Sequence, residues 1–558
     1  MLEWLQNFWT SYSRHLVFAA VCLVTAGVLS ANLLSRERTQ PPQRHPQREL
    51  SSDEFRGTVA AVDATFQKIW SDAKLEAAPR ASDLTIIRRL SLALTGTVPS
   101  LEEIRAVEAL PPQTDRVQWW VSHLLEDRRY ADYMAERLAR AFVGTENGPF
   151  LVYRRRRFVN WLSDQLHDNT AYDEIVRHLL ADDGLWTDTP AVNFVSATIE
   201  PNIGPDKVKL AARTTRAFLG VRIDCVQCHD DNLGGPWKQR DFHQLAAFFG
   251  GTDSSLFGIR DDQKRKYKFK YLRAEEESEV EAHVPFAKEC AVSSSEKIRE
   301  RLADWVTHEK NGAFGRAIAG RMWALITGRP LTKAVDSIPL EKPEESEGDV
   351  AQFWPVLDIL GKDFQSHGND LRRLIRLIVA TDAFQRDSKA GFQLTPRHDE
   401  LWASFPCTRL RPEQVSGSVL QASQLHTIDA GSNLIVRLSR FGQEDEFVKR
   451  YGDTGDDEFD DHGGTIPQRL LMMNGEMVQE RTKQDAVNNA STSIAILSPD
   501  NTKAVETAYL ITLTRRPTKP ELDYFVGWIG EIKGDRRTRM IEDLCWMLLN
   551  STEFSWNH

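Results

Sequence analysis

Apolar residues recur at three- and four-residue intervals over most of this chain, and that period admits helices and little else. Val59 to Trp70 and Leu84 to Leu94 space Val, Ile, Leu and Phe as core-facing helices do. Ser100 with Glu103 has the capping-box pattern, in which the hydroxyl accepts from a free backbone N–H and the carboxylate reaches back, so another helix is predicted to start there. Similar periods run through 115–143, 154–181 and 206–220, and again through 296–327, 350–382, 411–425, 501–513 and 519–552. The fold class that follows is mainly α: a multi-helical two-domain body with a small β-ribbon insertion, preceded by a single N-terminal transmembrane helix.

With 558 residues the chain exceeds what one hydrophobic core serves. From His15 to Leu34 it is apolar and uncharged over about the length that crosses a bilayer, which predicts an anchor over 1–35 and, from the Pro, Gln and Arg that follow, a solvated linker over 36–54. Bulky Leu29 beside the best cut site favours an uncleaved anchor. A helical domain is expected over 55–255 and another over 296–555. Between them, at 256–295, the basic and aromatic KRKYKFKYLR of Lys264–Arg273 meets the acidic AEEESEVEAHVPF, which reads as a two-stranded ribbon with aromatics on one face and charge pairs on the other.

A formal charge of −10 leaves no overall basic field to gather phosphates, so nucleic acid is not an expected partner. Six cysteines, at 22, 225, 228, 290, 407 and 545, are too few and too scattered for a disulfide scaffold. Only Cys225 and Cys228 are close neighbours, and they belong to Cys225-Val226-Gln227-Cys228-His229.

Covalent haem attachment needs two thiols to add to the two porphyrin vinyl groups and an imidazole beside them to ligate iron, and Cys-x-x-Cys-His supplies all three. The expected cofactor is haem c on Cys225 and Cys228, with His229 as the proximal ligand. Met472, Met473 and His243 are candidates for the distal position, although methionines on an apolar helix also serve as core filling. Three other readings stay open: a disulfide, a redox dithiol, and a zinc site completed by His243. Arg154 to Arg157 could meet haem propionates or simply form a solvated helix face. The tract GDTGDDEFDDH at 452–462 has carboxylates for calcium but not the EF-hand order. No Walker loop, Gly-x-Ser-x-Gly elbow or His-Glu-x-x-His occurs.

Several segments together resemble the planctomycete cytochrome-like domain followed by the planctomycete surface-type domain, two families of unknown function. The first is carried by RRLSLALTGTVPSLEEI (88–104), LEDRRYADYMAERLAR (125–140) and FLGVRIDCVQCHDDNLGGPWKQRDFHQLAAFFGG (218–251). The second is carried by GRMWALITGRPLTKAVDSI (320–338) and by FWPVLDILGKDFQSHGNDLRRLIRLIVATDAFQRDS (353–388). The resemblance implies an exported or membrane-associated protein without an established activity. One departure stands out: such proteins commonly carry His-Pro-Phe-Asp after the attachment histidine, where this chain has Asp231-Asn232-Leu233-Gly234.

The leading expectation is one-electron transfer to and from redox partner proteins by a body held outside the cytoplasm. Covalent haem attachment is extracytoplasmic in bacteria, and that outweighs the arginines at 36, 38, 44 and 48, which taken alone would keep the body inside. The rivals are a non-redox scaffold or surface protein with a Cys225/Cys228 structural pair, and a polymer-degrading hydrolase working through scattered carboxylates.

Overall fold

The computed structural model describes residues 52–145, 153–200, 203–231, 237–262, 264–271, 274–344, 348–429, 446–452, 459, 465–483 and 489–558, with Phe18 and Cys22. Apart from Phe18 and Cys22, the expected anchor lies outside the described residues, as does most of the linker. Among those described, no helix is long and apolar enough to cross a membrane.

The body is mainly helical, and its helices of eight residues or more are numbered here in chain order. The first group is α1 (Asp53–Asp72), α2 (Asp83–Thr95), α3 (Leu101–Glu108), α4 (Arg116–Glu126), α5 (Arg128–Val143), α6 (Arg155–His167) and α7 (Tyr172–Ala181). There follow α8 (Lys207–Thr214), α9 (Gln239–Ala246), α10 (Ile298–Val306), α11 (Gly312–Thr327), α12 (Asp349–Ser366) and α13 (Leu371–Ala380). The last group is α14 (Pro412–Ala422), α15 (Ile466–Asn474), α16 (Ala490–Leu497), α17 (Asn501–Leu513), α18 (Lys519–Ile529) and α19 (Gly534–Leu549). The capping box at α3 forms as its sequence predicts. The Glu103 N–H donates to Ser100 Oγ at 3.1 Å, and the Ser100 N–H donates to Glu103 Oε2 at 2.8 Å.

Two hydrophobic cores organise these helices. The first gathers buried side chains from Phe55 to Phe405, and the second those from Leu410 to Phe554 together with Leu92 and Val98. The expected division near 256–295 does not separate them: Trp305, Phe314 and Trp323 share a cluster with Leu138, Phe218 and Phe249. The reason is local. On α11 every residue from Ala313 to Thr327 is buried, so this helix has no solvent face and must be enclosed by neighbours on all sides. It meets α12 so closely that a Cβ added at Gly315 would lie 2.6 Å from the Gly361 carbonyl oxygen. Only glycine permits that backbone approach.

Helix α2 is the wall shared by both cores, with Ile86 to Thr95 all buried. Leu90 and Leu94 face the first core and Leu92 the second. The helix ends at Gly96 in the left-handed region (φ +70), where a Cβ would meet the Tyr133 ring at 2.6 Å.

Strands occur only as short antiparallel pairs among the described residues: β1 (Ile199–Glu200) with β2 (Gly204–Pro205), β3 (Thr252–Ser255) with β4 (Gly258–Asp261), β5 (Lys268–Phe269) with β6 (Ser278–Glu279), and β7 (Thr408–Arg409) with β8 (Trp556–Asn557). The expected ribbon is the β5–β6 pair, in register Lys268 with Glu279 and Phe269 with Ser278. Lys266 reaches Glu279 at 3.4 Å, so basic and acidic tracts do pair across it.

Candidate functional site

The Cys-Val-Gln-Cys-His segment is built from the end of α8 outward. Asp206 caps α8, accepting from the Lys209 N–H at 2.9 Å. The helix then widens into a π-turn over Thr215–Leu219 and stops at Gly220, whose φ of +64 reverses the chain. A Cβ at Gly220 would lie 3.1 Å from Ile338 Cδ1 and 3.3 Å from Ala317 Cβ, so α11 and its following loop press on this turn. Buried Val221 and Ile223 carry the chain to a single 3-10 turn, Asp224–Gln227. With three residues per turn, side chains three apart eclipse, and this places Cys225 and Cys228 on one side. Val226 points inward at 1% exposure while both thiols are free and exposed.

Helix α9 holds this turn from beneath. His243 Nε2 lies 2.9 Å from the Gln227 carbonyl oxygen, and its Nδ1 lies 2.9 Å from the Tyr267 hydroxyl. A carbonyl only accepts, so Nε2 carries the proton and Nδ1 accepts from Tyr267. Burial pushes the His243 pKa down, which favours this neutral form. Phe269 stacks on the same imidazole with centroids 3.4 Å apart. One turn before it on α9, Gln239 donates its side-chain amide to the carbonyl oxygens of Cys228 at 2.9 Å and Gln227 at 3.2 Å. The Gln239 N–H donates to Asp230 Oδ1 at 2.9 Å. At the front, Asp224 is clamped by Arg216 at 2.5 Å, and Arg222 binds Asp336 at 2.7 Å. The backbone of the turn is thus tied down while its reactive side chains face solvent.

His229 is exposed, and its Nδ1 lies 2.7 Å from the Asp230 carbonyl oxygen. By the same donor argument, neutral His229 carries its proton on Nδ1, leaving the Nε2 lone pair for a metal. Its Nε2 has no hydrogen-bond partner among the described residues. The residues present fit a covalent haem: two free thiols on one side of a turn, and next to them an imidazole whose other nitrogen is fixed by a carbonyl.

The other candidates are placed elsewhere or otherwise engaged. His243 has both ring nitrogens occupied, so it positions the turn and offers no lone pair to iron or zinc. Among the described residues no group of three or more His, Cys, Asp or Glu is arranged to hold a metal ion, so the Cys-Cys-His-His set is not assembled. Met472 is buried in the second core at 1% exposure and Met473 is half-exposed beside it; Val226 enters the first core. Arg154 lies over the Trp186 ring at 5.1 Å, and Arg155 makes a bidentate pair with Glu136 at 2.8 Å. Of the acidic tract only Gly452 and Phe459 are described, so the calcium reading lies outside the described residues.

Sequence reading does not single out Gln239, Arg216 or Asp224, and it takes Tyr267 and Phe269 only as the aromatic face of the ribbon. A signal existed for one of them: Gln239 and His243 are four apart on α9, hence on one face. The aromatic strand, read as a surface ribbon, turns Phe269 and Tyr267 onto His243.

In this mainly helical, two-core body the Cys-x-x-Cys-His turn has its backbone hydrogen-bonded to α9 and both thiols and the imidazole exposed. Two family models match the chain in succession. Residues 61–254 match PSCyt2, a protein of unknown function (DUF1549), and residues 298–455 match PSD1, a protein of unknown function (DUF1553), in that order. No curated protein and no solved structure matches the chain.

Proposed function

We propose that this protein is a membrane-tethered c-type cytochrome-like electron carrier, with haem bound covalently at Cys225 and Cys228 and its iron ligated by His229. The observation that carries this reading is the open Nε2 of His229, set by its Nδ1 bond to the Asp230 carbonyl, beside two free thiols on an anchored turn. Cys225 and Cys228 would hold the haem as thioethers, formed by addition of each S–H across a vinyl group and so without an oxidant. Bound haem supplies a one-electron couple at the protein surface. His243 and Gln239 keep the turn from moving as that charge changes. The apolar 15–34 segment tethers the body outside the cytoplasm, where haem attachment takes place, and soluble or membrane redox proteins are its partners.

A pyridine haemochrome spectrum of the full chain, co-expressed with haem-maturation machinery, tests this reading. The expected result is a c-type band that disappears in the Cys225→Ala, Cys228→Ala double variant. No band in the parent chain, with an intact mass lower by two hydrogens, would instead establish a disulfide clamp and remove the electron-transfer function.

A further inference from the structure

A cavity of about 340 Å³ opens beside the Cys turn, where the two matched families meet. Its walls come from the end of α5, from α8, from the π-turn and the chain just before Cys225, and from α11 with the following 330–336 loop. Seven basic side chains line it against two carboxylates. In a chain of net charge −10 this is a local concentration of positive charge and not a general property of the surface.

Both carboxylates are already engaged. Asp224 is held by Arg216 at 2.5 Å, and Asp336 by Arg222 at 2.7 Å. Lys209 and Lys333, both exposed, stand at the rim with no carboxylate in ion-pair distance among the described residues. Arg321 is only 7% exposed, and the one hydrogen bond it shows runs from Nη2 to the Arg216 carbonyl oxygen at 3.4 Å, although a guanidinium carries five N–H donors. Its other donors open on the cavity, where an anion can meet them. Val335, Ala212 and Phe459 supply apolar wall between the charges. The volume suits a small molecule and is far too small for a nucleic-acid duplex.

We propose that this cavity binds a small anion carrying at least two negative charges, as phosphate or carboxylate groups. Arg321 binds it from the floor, Lys209 and Lys333 receive it at the rim, and Arg216 and Arg222 join from their ion pairs. Guanidinium groups match phosphate and carboxylate oxygens in pairs, so the site selects dianions over chloride.

Isothermal titration of pyrophosphate, and separately of citrate, into the full chain carrying Cys225→Ala and Cys228→Ala tests this without porphyrin chemistry, so its outcome is independent of the haem reading. Saturable one-to-one binding of at least one probe is expected, and the arm that binds identifies phosphate or carboxylate as the preferred group. The affinity should weaken with added salt. Lys209→Gln with Lys333→Gln should weaken it about tenfold, and Arg321→Gln by at least as much. Lys519→Gln, on an exposed turn of α18, should leave it unchanged. If Arg321→Gln does not fold, the rim pair decides alone. No binding of either probe at millimolar concentration, or equal affinity in the parent, the rim pair and the control, overturns the proposal.

Discussion

Two sets of arginines look alike in the sequence and do opposite things in the fold. Arg88 and Arg89, in the middle of α2, are buried at 1% and 0% exposure and make their hydrogen bonds to backbone carbonyls, with Arg88 Nε and Arg89 Nη2 unpartnered among the described residues. Arg88 donates to the carbonyl oxygens of Thr512 and Phe554, each at 3.0 Å. Arg89 donates to those of His558 at 2.7 Å, Phe384 at 3.0 Å and Arg386 at 2.7 Å, and its guanidinium lies 3.7 Å over the Phe405 ring. Burial lowers their pKa values to about 10 and about 9, still above neutral pH. The arginines at 216, 222 and 321 instead line the cavity beside the Cys turn. Carbonyls quench a guanidinium's hydrogen-bonding capacity without cancelling its charge, which makes the first set fasteners between two cores. In the second set Arg216 and Arg222 are paired with carboxylates, and Arg321 faces the cavity with a single hydrogen bond to a carbonyl.

The largest effect that follows is on stability. Arg89→Met leaves three carbonyls, one buried and two partly buried, without their donor in the wall shared by both cores, and should cost about 3–5 kcal/mol in chemical denaturation. Arg88→Met, with two such carbonyls, should cost about 2–4 kcal/mol. Losses below about 1 kcal/mol would mean that the carbonyls find water and that the fastener reading is mistaken.

A middle case sharpens the contrast. His243 is also a buried polar group bonded on both sides, but it fastens a functional turn and not a core. His243→Leu removes the donor to Gln227 and the acceptor from Tyr267, and should cost about 1–3 kcal/mol. Hydrogen exchange over 224–230 should rise, since the turn then opens locally. Unchanged exchange there would show that Gln239 suffices.

What the sequence reveals and what it hides divides along the same line. The α3 capping box is legible because Ser100 and Glu103 are three residues apart, and the Cys turn because its chemistry is contiguous. The partners of Arg88 are not, being 424 and 466 positions away. Periodicity shows that α10 and α11 are helices. It does not show that α11, buried along its whole length, packs on α2 and the π-turn before the Cys motif as well as on α12 and α13, so the cores part after Phe405 and not near 296. The family models, by contrast, divide between 254 and 298. Ancestry and packing therefore draw the line in different places, and the basic cavity lies on the ancestral one.

The two cores should also answer differently to acid. In the first, burial raises the Asp63 pKa from 3.8 to about 6. Its folded form holds a proton that the unfolded chain releases, so its contribution is full below pH 3.8 and is lost as pH rises through about 6. In the second, hydrogen bonding and charge from Arg515 lower the Glu521 pKa from 4.5 to about 2. That contribution is present above pH 4.5 and is lost as pH falls toward 2. Denaturation midpoints should therefore rise slightly from pH 6 toward 4.5 and then fall, the lower limb amounting to about 1 kcal/mol once solvent screening is included. Asp63→Asn should abolish the upper limb only, and Glu521→Gln should flatten the lower one. If both limbs survive both substitutions, other carboxylates govern the profile.

The smallest effect is the one the comparison needs most. Lys209 and Lys333 are exposed, and no carboxylate among the described residues lies within ion-pair distance of them. If they serve the fold, their removal must cost stability. If they serve a ligand, replacing both with glutamine should shift unfolding by no more than about 0.5 kcal/mol, as for other surface positions. The sign is informative too: relieving mutual repulsion among the cavity's cations should make that shift stabilising in ligand-free protein at low salt, and the gain should vanish at high salt as the charges are screened. A salt-independent loss of 1 kcal/mol or more, roughly what one structural hydrogen bond contributes, would place these lysines with Arg88 and Arg89, as parts of the scaffold.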